Sequence, residues 1–195
     1  MVVAKDPVHE DRNVSFIGRL AKEKNPELAI KCFLKFKKTL SDIHNAKFNI
    51  YGDGPLYEPL SEKYSGDSSV IFHGWCEIND EVWSGVSALI LTSDYEGLPL
   101  VAMQAIEKGI PVICSNIPVL SELKTFFPDC IYIADNNTEE ELACLVIEAL
   151  SSVRERDIYK NIFSLLFSDE IYMNKMTELY SLCKKRLFCI TKQIK

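Results

Sequence analysis

The feature that most limits what this chain can fold into is an alternation. Short apolar runs of strand length are each closed by glycine or a polar turn, and each is followed by a helical pattern. Val14–Ile17, Lys47–Tyr51, Val70–Phe72, Ala88–Leu91, Pro111–Cys114 and Cys130–Ile133 read as strands. Helical periodicity fills the intervals over Pro26–Leu40, up to about Tyr64, Asn79–Gly85, Gly97–Lys108 and Val119–Phe126, then from Thr138 to about Phe188. Ala88-Leu89-Ile90-Leu91 is continuously apolar, the signature of a strand covered on both faces. Strands alternating with helices predict an α/β chain: a single Rossmann-like open parallel sheet with helices on both faces, plus a helical C-terminal tail. The expected division is a flexible lead over 1–13, the Rossmann-like domain over 14–152, and C-terminal helices over 153–195 that pack back on it.

Local signals place the helix ends. Asn25 is the expected N-cap of the first helix, with Pro26 in its first turn. Gly109 and Pro111 stop the helix expected to begin at Gly97. Thr138 with Glu141 three residues on predicts a capping box.

Composition excludes several classes. Apolar residues make up 47% and charged residues 26%, ordinary for a globular protein. The net charge of -6 argues against a nucleic-acid partner. Lys184, Lys185, Arg186, Lys192 and Lys195 form a basic C-terminus that reads as a solvated helix end, with contact to anionic lipid as the alternative. Cys32, Cys76, Cys114, Cys130, Cys144, Cys183 and Cys189 form no Cys-x-x-Cys pair and read as reduced thiols. The first residues carry no apolar signal core, and no apolar run reaches the length of a membrane span. The expected location is therefore cytoplasmic, with at most peripheral contact at the inner face of a membrane. His9, His44 and His73 share no metal-ligand spacing, so no metal site is expected. Neither a Gly-x-Ser-x-Gly elbow nor a P-loop occurs, and no Gly-x-Gly-x-x-Gly follows the first strand, which argues against a nucleotide-sugar epimerase or reductase.

Ligands of open parallel sheets sit beyond the carboxyl ends of the strands. The segments there are Gly18-Arg19, Gly52-Asp53-Gly54, His73-Gly74-Trp75, Thr92–Gly97 and Ser115-Asn116. Glycine lets a backbone approach a ligand closely, whereas Asp53 between glycines has a conformational explanation of its own. Gly18 through Pro26 brings Arg19 and Lys24 to the edge of the crevice as candidate phosphate ligands; ordinary exposed charges are the alternative. Glu96 precedes the expected helix start at Gly97-Leu98-Pro99-Leu100, whose amides would hold a diphosphate. Its carboxylate repels phosphate, so it either faces sugar hydroxyls or caps the helix. His73 and Trp75 follow the third strand, where a structural histidine and a cover for the sheet edge are the plain readings.

These segments together resemble the C-terminal domain of glycosyltransferase family 4, retaining enzymes of GT-B fold. Gly18-Arg19-Leu20 with Lys24 resembles the family's diphosphate-binding Gly-Arg-Leu and lysine. Gly52-Asp53-Gly54-Pro55 resembles its Gly-x-Gly-Pro loop, and Val70–Gly74 its strand end beside the nucleobase. Ser93–Ala105 resembles its Ser-x-x-Glu-Gly-x7-Glu-Ala region, while Gly109–Ile113 and Glu122 match the strand and helix that follow. The likeness covers roughly residues 14–180. It implies a domain that binds a nucleotide diphosphate sugar as substrate, without cofactor or metal, and transfers the sugar to a saccharide or lipid-linked acceptor in glycan, surface polysaccharide or lipopolysaccharide synthesis. The implied catalytic residues are Arg19, Lys24 and Glu96; the implied donor-binding residues are Gly18, Gly52, Gly54, His73, Gly74, Trp75, Gly97, Leu98, Pro99, Leu100 and Gln104.

Two departures from the family stand out. Gln104 occupies the place of the second glutamate, which accepts hydrogen bonds from the ribose. Its amide oxygen still accepts, without the charge that roughly doubles such a bond, so weaker donor binding is expected. The family also has an N-terminal acceptor domain, whereas this chain starts almost at the first strand. The isolated chain is therefore expected to need a separate acceptor-domain partner, or to be a binding fragment without turnover.

Overall fold

The computed structural model describes residues 12–39, 45–152, 156–167, 171 and 173–178. The chain runs β1 (Val14–Ile17), a 3-10 turn (Lys22–Lys24), α1 (Pro26–Thr39), β2 (Phe48–Tyr51), α2 (Tyr57–Lys63), β3 (Val70–Gly74) and α3 (Asp80–Ser84). It continues with β4 (Ala88–Leu91), α4 (Leu100–Glu107), β5 (Val112–Ser115), α5 (Pro118–Phe126), β6 (Ile131–Ala134), α6 (Glu139–Ser151) and α7 (Arg156–Phe167). Most of the expected lead, Leu40, His9, His44, Cys183, Cys189, the basic C-terminal residues and the helical pattern from 179 to Phe188 lie outside the described residues.

The strands form one sheet in the order β3-β2-β1-β4-β5-β6. Every pairing is parallel. The fold is thus the expected Rossmann-like α/β sheet. Its order reverses between β1 and β4, which leaves a crevice beyond their carboxyl ends.

Side chains on a strand alternate between its faces, and here both faces are covered. Val14 and Phe16 of β1, Phe48 and Ile50 of β2, and Ala88 and Ile90 of β4 enter one core with Phe33 and Phe36 of α1, Leu60 of α2 and Leu142 and Val146 of α6. Ile17, Leu89, Leu91, Val112 and Cys114 enter the other, with Trp83, Ala105, Ile106, Leu120 and Tyr159 from the helices. Phe33 stacks on Phe48 at 5.2 Å between ring centroids, fastening α1 to the sheet. Each such buried ring contributes roughly 1.5–3 kcal/mol. The helix α7 lays Phe163 and Phe167 against Phe127, and Tyr159 donates a hydrogen bond to Asp129 Oδ2 at 3.1 Å.

Three helix ends differ from the sequence expectation. Asn25 precedes α1, but in a left-handed conformation (φ 45°) that closes the 3-10 turn through its own N–H to Lys22 O. Thr138 caps α6 by accepting from Glu141 N, whereas the Glu141 carboxylate turns to the amides of Asp135 and Asn136. The third difference touches the crevice: α4 begins at Leu100, not Gly97. A residue before proline disfavours the helical region, which argues against a helix running through Leu98, and Pro99 takes the cap position with φ -78° and ψ 80°.

Backbone contacts continue past the strand ends and shape the crevice. Gly18 N donates to Tyr51 O, Leu20 N to Asp53 O and Leu56 N to Leu20 O, each at 2.9 Å. Gly52 N donates to Gly74 O at 2.8 Å. The backbones come so close that a Cβ on Gly52 would lie 1.9 Å from Gly18 O, and one on Gly54 2.5 Å from Leu20 O. Across the switch point, Asp94 N donates to Glu23 O at 2.9 Å. Thr92 Oγ1 lies 2.8 Å from Asn25 O and 3.0 Å from Lys24 O.

Two substitutions test these ties, and a third serves as a control. Gly52→Ala forces backbone apart and should lower unfolding free energy by more than about 2 kcal/mol in urea titrations. Gly66→Ala, with open space at its Cβ, should stay within about 0.5 kcal/mol of the parent. Thr92→Val removes the donor shared by two carbonyls and should cost about 1 kcal/mol.

Candidate functional site at the carboxyl edge of the sheet

The ends of β1, β2 and β3 enclose a cleft of about 510 Å³. This volume is in the range of small-molecule sites. Ile17, Gly18, Arg19, Tyr51, Gly52, Asp53, Gly54, Trp75, Cys76 and Ile78 line it. Its walls are chemically uneven. Tyr51, Trp75, Ile17 and Ile78 make an apolar and aromatic part, while Arg19, Asp53 and the glycine backbones of 18, 52 and 54 make a polar part, in which the Asp53 carboxylate accepts from Gly54 N at 2.7 Å. Arg19 is exposed, and no ion pair among the described residues engages it.

The second group lies at the β1–β4 switch point. Lys24 Nζ contacts Glu96 Oε1 at 2.5 Å, and Ser93 Oγ donates to the same oxygen at 2.7 Å. The Lys24 side chain is 26% exposed and that of Glu96 12%, so the pair is largely withdrawn from water. Glu96 therefore faces the β1 loop rather than the amides of α4. Beyond it, Gly97, Leu98 and Leu100 are exposed and Pro99 is buried; Leu100 N is spent on Leu98 O at 2.9 Å. Gln104 lies exposed on α4 and is not one of the residues that line the cleft.

The structure thus brings Gly18, Arg19, Gly52, Gly54 and Trp75 into one cleft, and Lys24 and Glu96 into an adjoining pair. The Gly18–Lys24 segment runs from one to the other. Gly74 serves through its carbonyl, which anchors Gly52. His73 does not line the cleft. Its ring stacks flat on Tyr51 at 4.3 Å between centroids and 9° between planes, and its Nε2 lies 2.9 Å from Asn49 Oδ1. Desolvation lowers the imidazole's pKa from its ordinary value. Trp75, by contrast, is 79% exposed, unlike Trp83 at 5%.

Sequence reading missed Tyr51, Cys76, Ile78 and Ile17 as cleft residues. The signal for Tyr51 was present: Ile50 faces the α1 core, so its neighbour in a strand must face the other side. Burial, and secondarily Cys76 nearby, push the Tyr51 phenol above its usual range and keep its proton in place as a donor. Nothing comparable announced Cys76, which is half-buried, while Cys32, Cys114 and Cys130 are buried and Cys144 is exposed. Among the described residues no group of acidic, histidine or cysteine side chains is placed to hold a metal ion, and no helix is long and apolar enough to cross a membrane.

Known proteins share this architecture. The Anabaena protein HepE in complex with UDP superposes with a TM-score of 0.75 at 16% identity, covering 89% of this chain and 50% of that one. Among curated proteins, a Campylobacter jejuni α-1,4-N-acetyl-D-galactosaminyltransferase named for an undecaprenol-linked acceptor is 35% identical over 106 residues. An Escherichia coli UDP-Gal:α-D-GlcNAc-diphosphoundecaprenol α-1,3-galactosyltransferase is 31% identical over 107 residues. Each match covers 53% of this chain, but only 29% and 27% of the respective relatives. The chain thus spans less than a third of the length of these relatives. Residues 4–162 match the family described as glycosyl transferases group 1, and the chain belongs to that family.

Proposed function

We propose that this domain is the donor-binding half of a retaining GT-B glycosyltransferase of family 4, which moves a sugar from a nucleotide diphosphate sugar to an acceptor hydroxyl. The observation that carries the reading is the two-part cleft at the edge of a group 1 sheet: aromatic and apolar where a nucleobase needs stacking, glycine-lined with exposed Arg19 where a diphosphate needs close backbone and a cation. In this reading the base lies by Tyr51 and Trp75, with His73 supporting Tyr51 from behind. The diphosphate lies along Gly18–Lys24, and the sugar reaches towards Glu96.

The chemistry needs stabilisation of negative charge on the departing diphosphate. Fixed cations in a dry site do this without reorganising. Arg19 supplies a planar fork for phosphate oxygens and Lys24 a mobile point charge, with no metal in the scheme. Glu96 orients the sugar through its hydroxyls, and Gln104 accepts from the ribose. Because α4 starts at Leu100, this reading uses the backbone of Gly97 and Leu98, rather than a helix terminus, on the sugar and phosphate side. The acceptor is a saccharide or lipid-linked sugar, in line with the substrates named for the Campylobacter and Escherichia relatives. Its site belongs to a second Rossmann-like unit, in the same polypeptide or in a partner chain. Work on a lipid-linked acceptor would place the protein at the inner face of a cytoplasmic membrane.

Gln104 favours a second reading, a non-catalytic nucleotide-sugar-binding subunit. Turnover of a labelled nucleotide sugar by the chain with and without an acceptor-domain partner separates the two.

Arg19→Ala should weaken nucleoside diphosphate binding at least ten-fold by calorimetry, about the worth of one charge-assisted bond; unchanged affinity would contradict the assignment. A bound nucleotide should also slow alkylation of Cys76 by N-ethylmaleimide, followed by peptide mass spectrometry, while leaving Cys144 unaffected. Equal rates at Cys76 with and without nucleotide would move the ligand out of this cleft.

A further inference from the structure

Resting on the donor-site reading, we infer that Glu96 holds Lys24 in the empty site as an internal substitute for phosphate, and that this exchange makes the site prefer the intact donor over the nucleoside diphosphate product. The geometry is specific. Lys24 already has an anionic partner at 2.5 Å, whereas exposed Arg19 has none among the described residues. The Lys24 backbone is fixed by Thr92, and Glu96 is braced by Ser93, so the two charged ends are held face to face.

An entering diphosphate can recruit Lys24 only by taking it from Glu96. That leaves a carboxylate, 12% exposed, with Ser93 as its remaining partner and a second anion nearby. Leaving a withdrawn charge unpaired is costly. A sugar on the diphosphate offsets this cost because its hydroxyls donate to the carboxylate that Lys24 has left. Once the sugar has been transferred, that compensation is gone. Glu96 recaptures Lys24, and the diphosphate loses one of its two cations. The same carboxylate thus orients the sugar and promotes product release. Simple repulsion between Glu96 and phosphate makes a different prediction, because repulsion does not need Lys24.

A double-mutant cycle on the full 195-residue chain separates these possibilities. Calorimetry with UDP, GDP and ADP is run on the parent, Glu96→Gln, Lys24→Ala and the double variant, with Glu96→Ala taking the place of Glu96→Gln should that variant not fold. The expected result is about five-fold tighter diphosphate binding on removing the carboxylate when Lys24 is present, and clearly less tightening when Lys24 is absent, where only repulsion is relieved. The affinity ratio of UDP-glucose to UDP should also fall in Glu96→Gln. Equal tightening in both backgrounds, no tightening in either, or an unchanged ratio overturns the exchange while leaving the donor site standing. Failure of the parent chain to bind any of the diphosphates overturns both.

Discussion

The site depends on backbone hydrogen bonding that continues after the strands have ended. β1 and β2 stop at Ile17 and Tyr51, yet Gly18 and Leu20 go on donating to Tyr51 and Asp53, and Leu20 O accepts from Leu56. This extension carries two loops into contact at a separation that excludes a Cβ on Gly52. It sets where Arg19 leaves the backbone and fixes one wall of the cleft. The β4 side is secured independently, through Thr92 and Asp94 to the same loop. A single segment, Gly18–Asn25, is therefore held from both sides of the switch point. Any ligand that bridges the cleft and the Lys24–Glu96 pair lies along it.

Much of this was legible in the sequence because it rests on periodicity. A parallel sheet buried on both faces demands continuous apolar strands, and Ala88–Leu91 displays one. The glycines at 52 and 54 were also readable, since close backbone approach leaves few other choices. What was not legible depends on tertiary contact. The helix expected from Gly97 begins at Leu100, because Pro99 and its effect on Leu98 outweigh the apolar pattern. Glu141 was expected to reach back to its own cap, but the 135–136 turn offers two amides that a linear reading does not place. His73 sits at the right strand end and behind the right wall, with Tyr51 as the residue that meets the cleft.

The charges of the site are divided unevenly. Arg19 stands exposed in the cleft, while Lys24 is neutralised by a carboxylate held in place by Ser93. An unpaired cation in reach of solvent suits first encounter with an anionic ligand, and a paired one suits discrimination among ligands already held. The aromatic part is also uneven: Tyr51 is backed by a stacked imidazole, while Trp75 projects into solvent.

A crystal structure of the chain with a nucleotide diphosphate sugar tests the central claim most directly. The account predicts the diphosphate against Arg19 and the backbone of Gly18, the base between Tyr51 and Trp75, and the sugar directed to Glu96. Density for the nucleotide elsewhere on the molecule, or in this cleft with the base at Arg19 and the diphosphate at Tyr51, would contradict it.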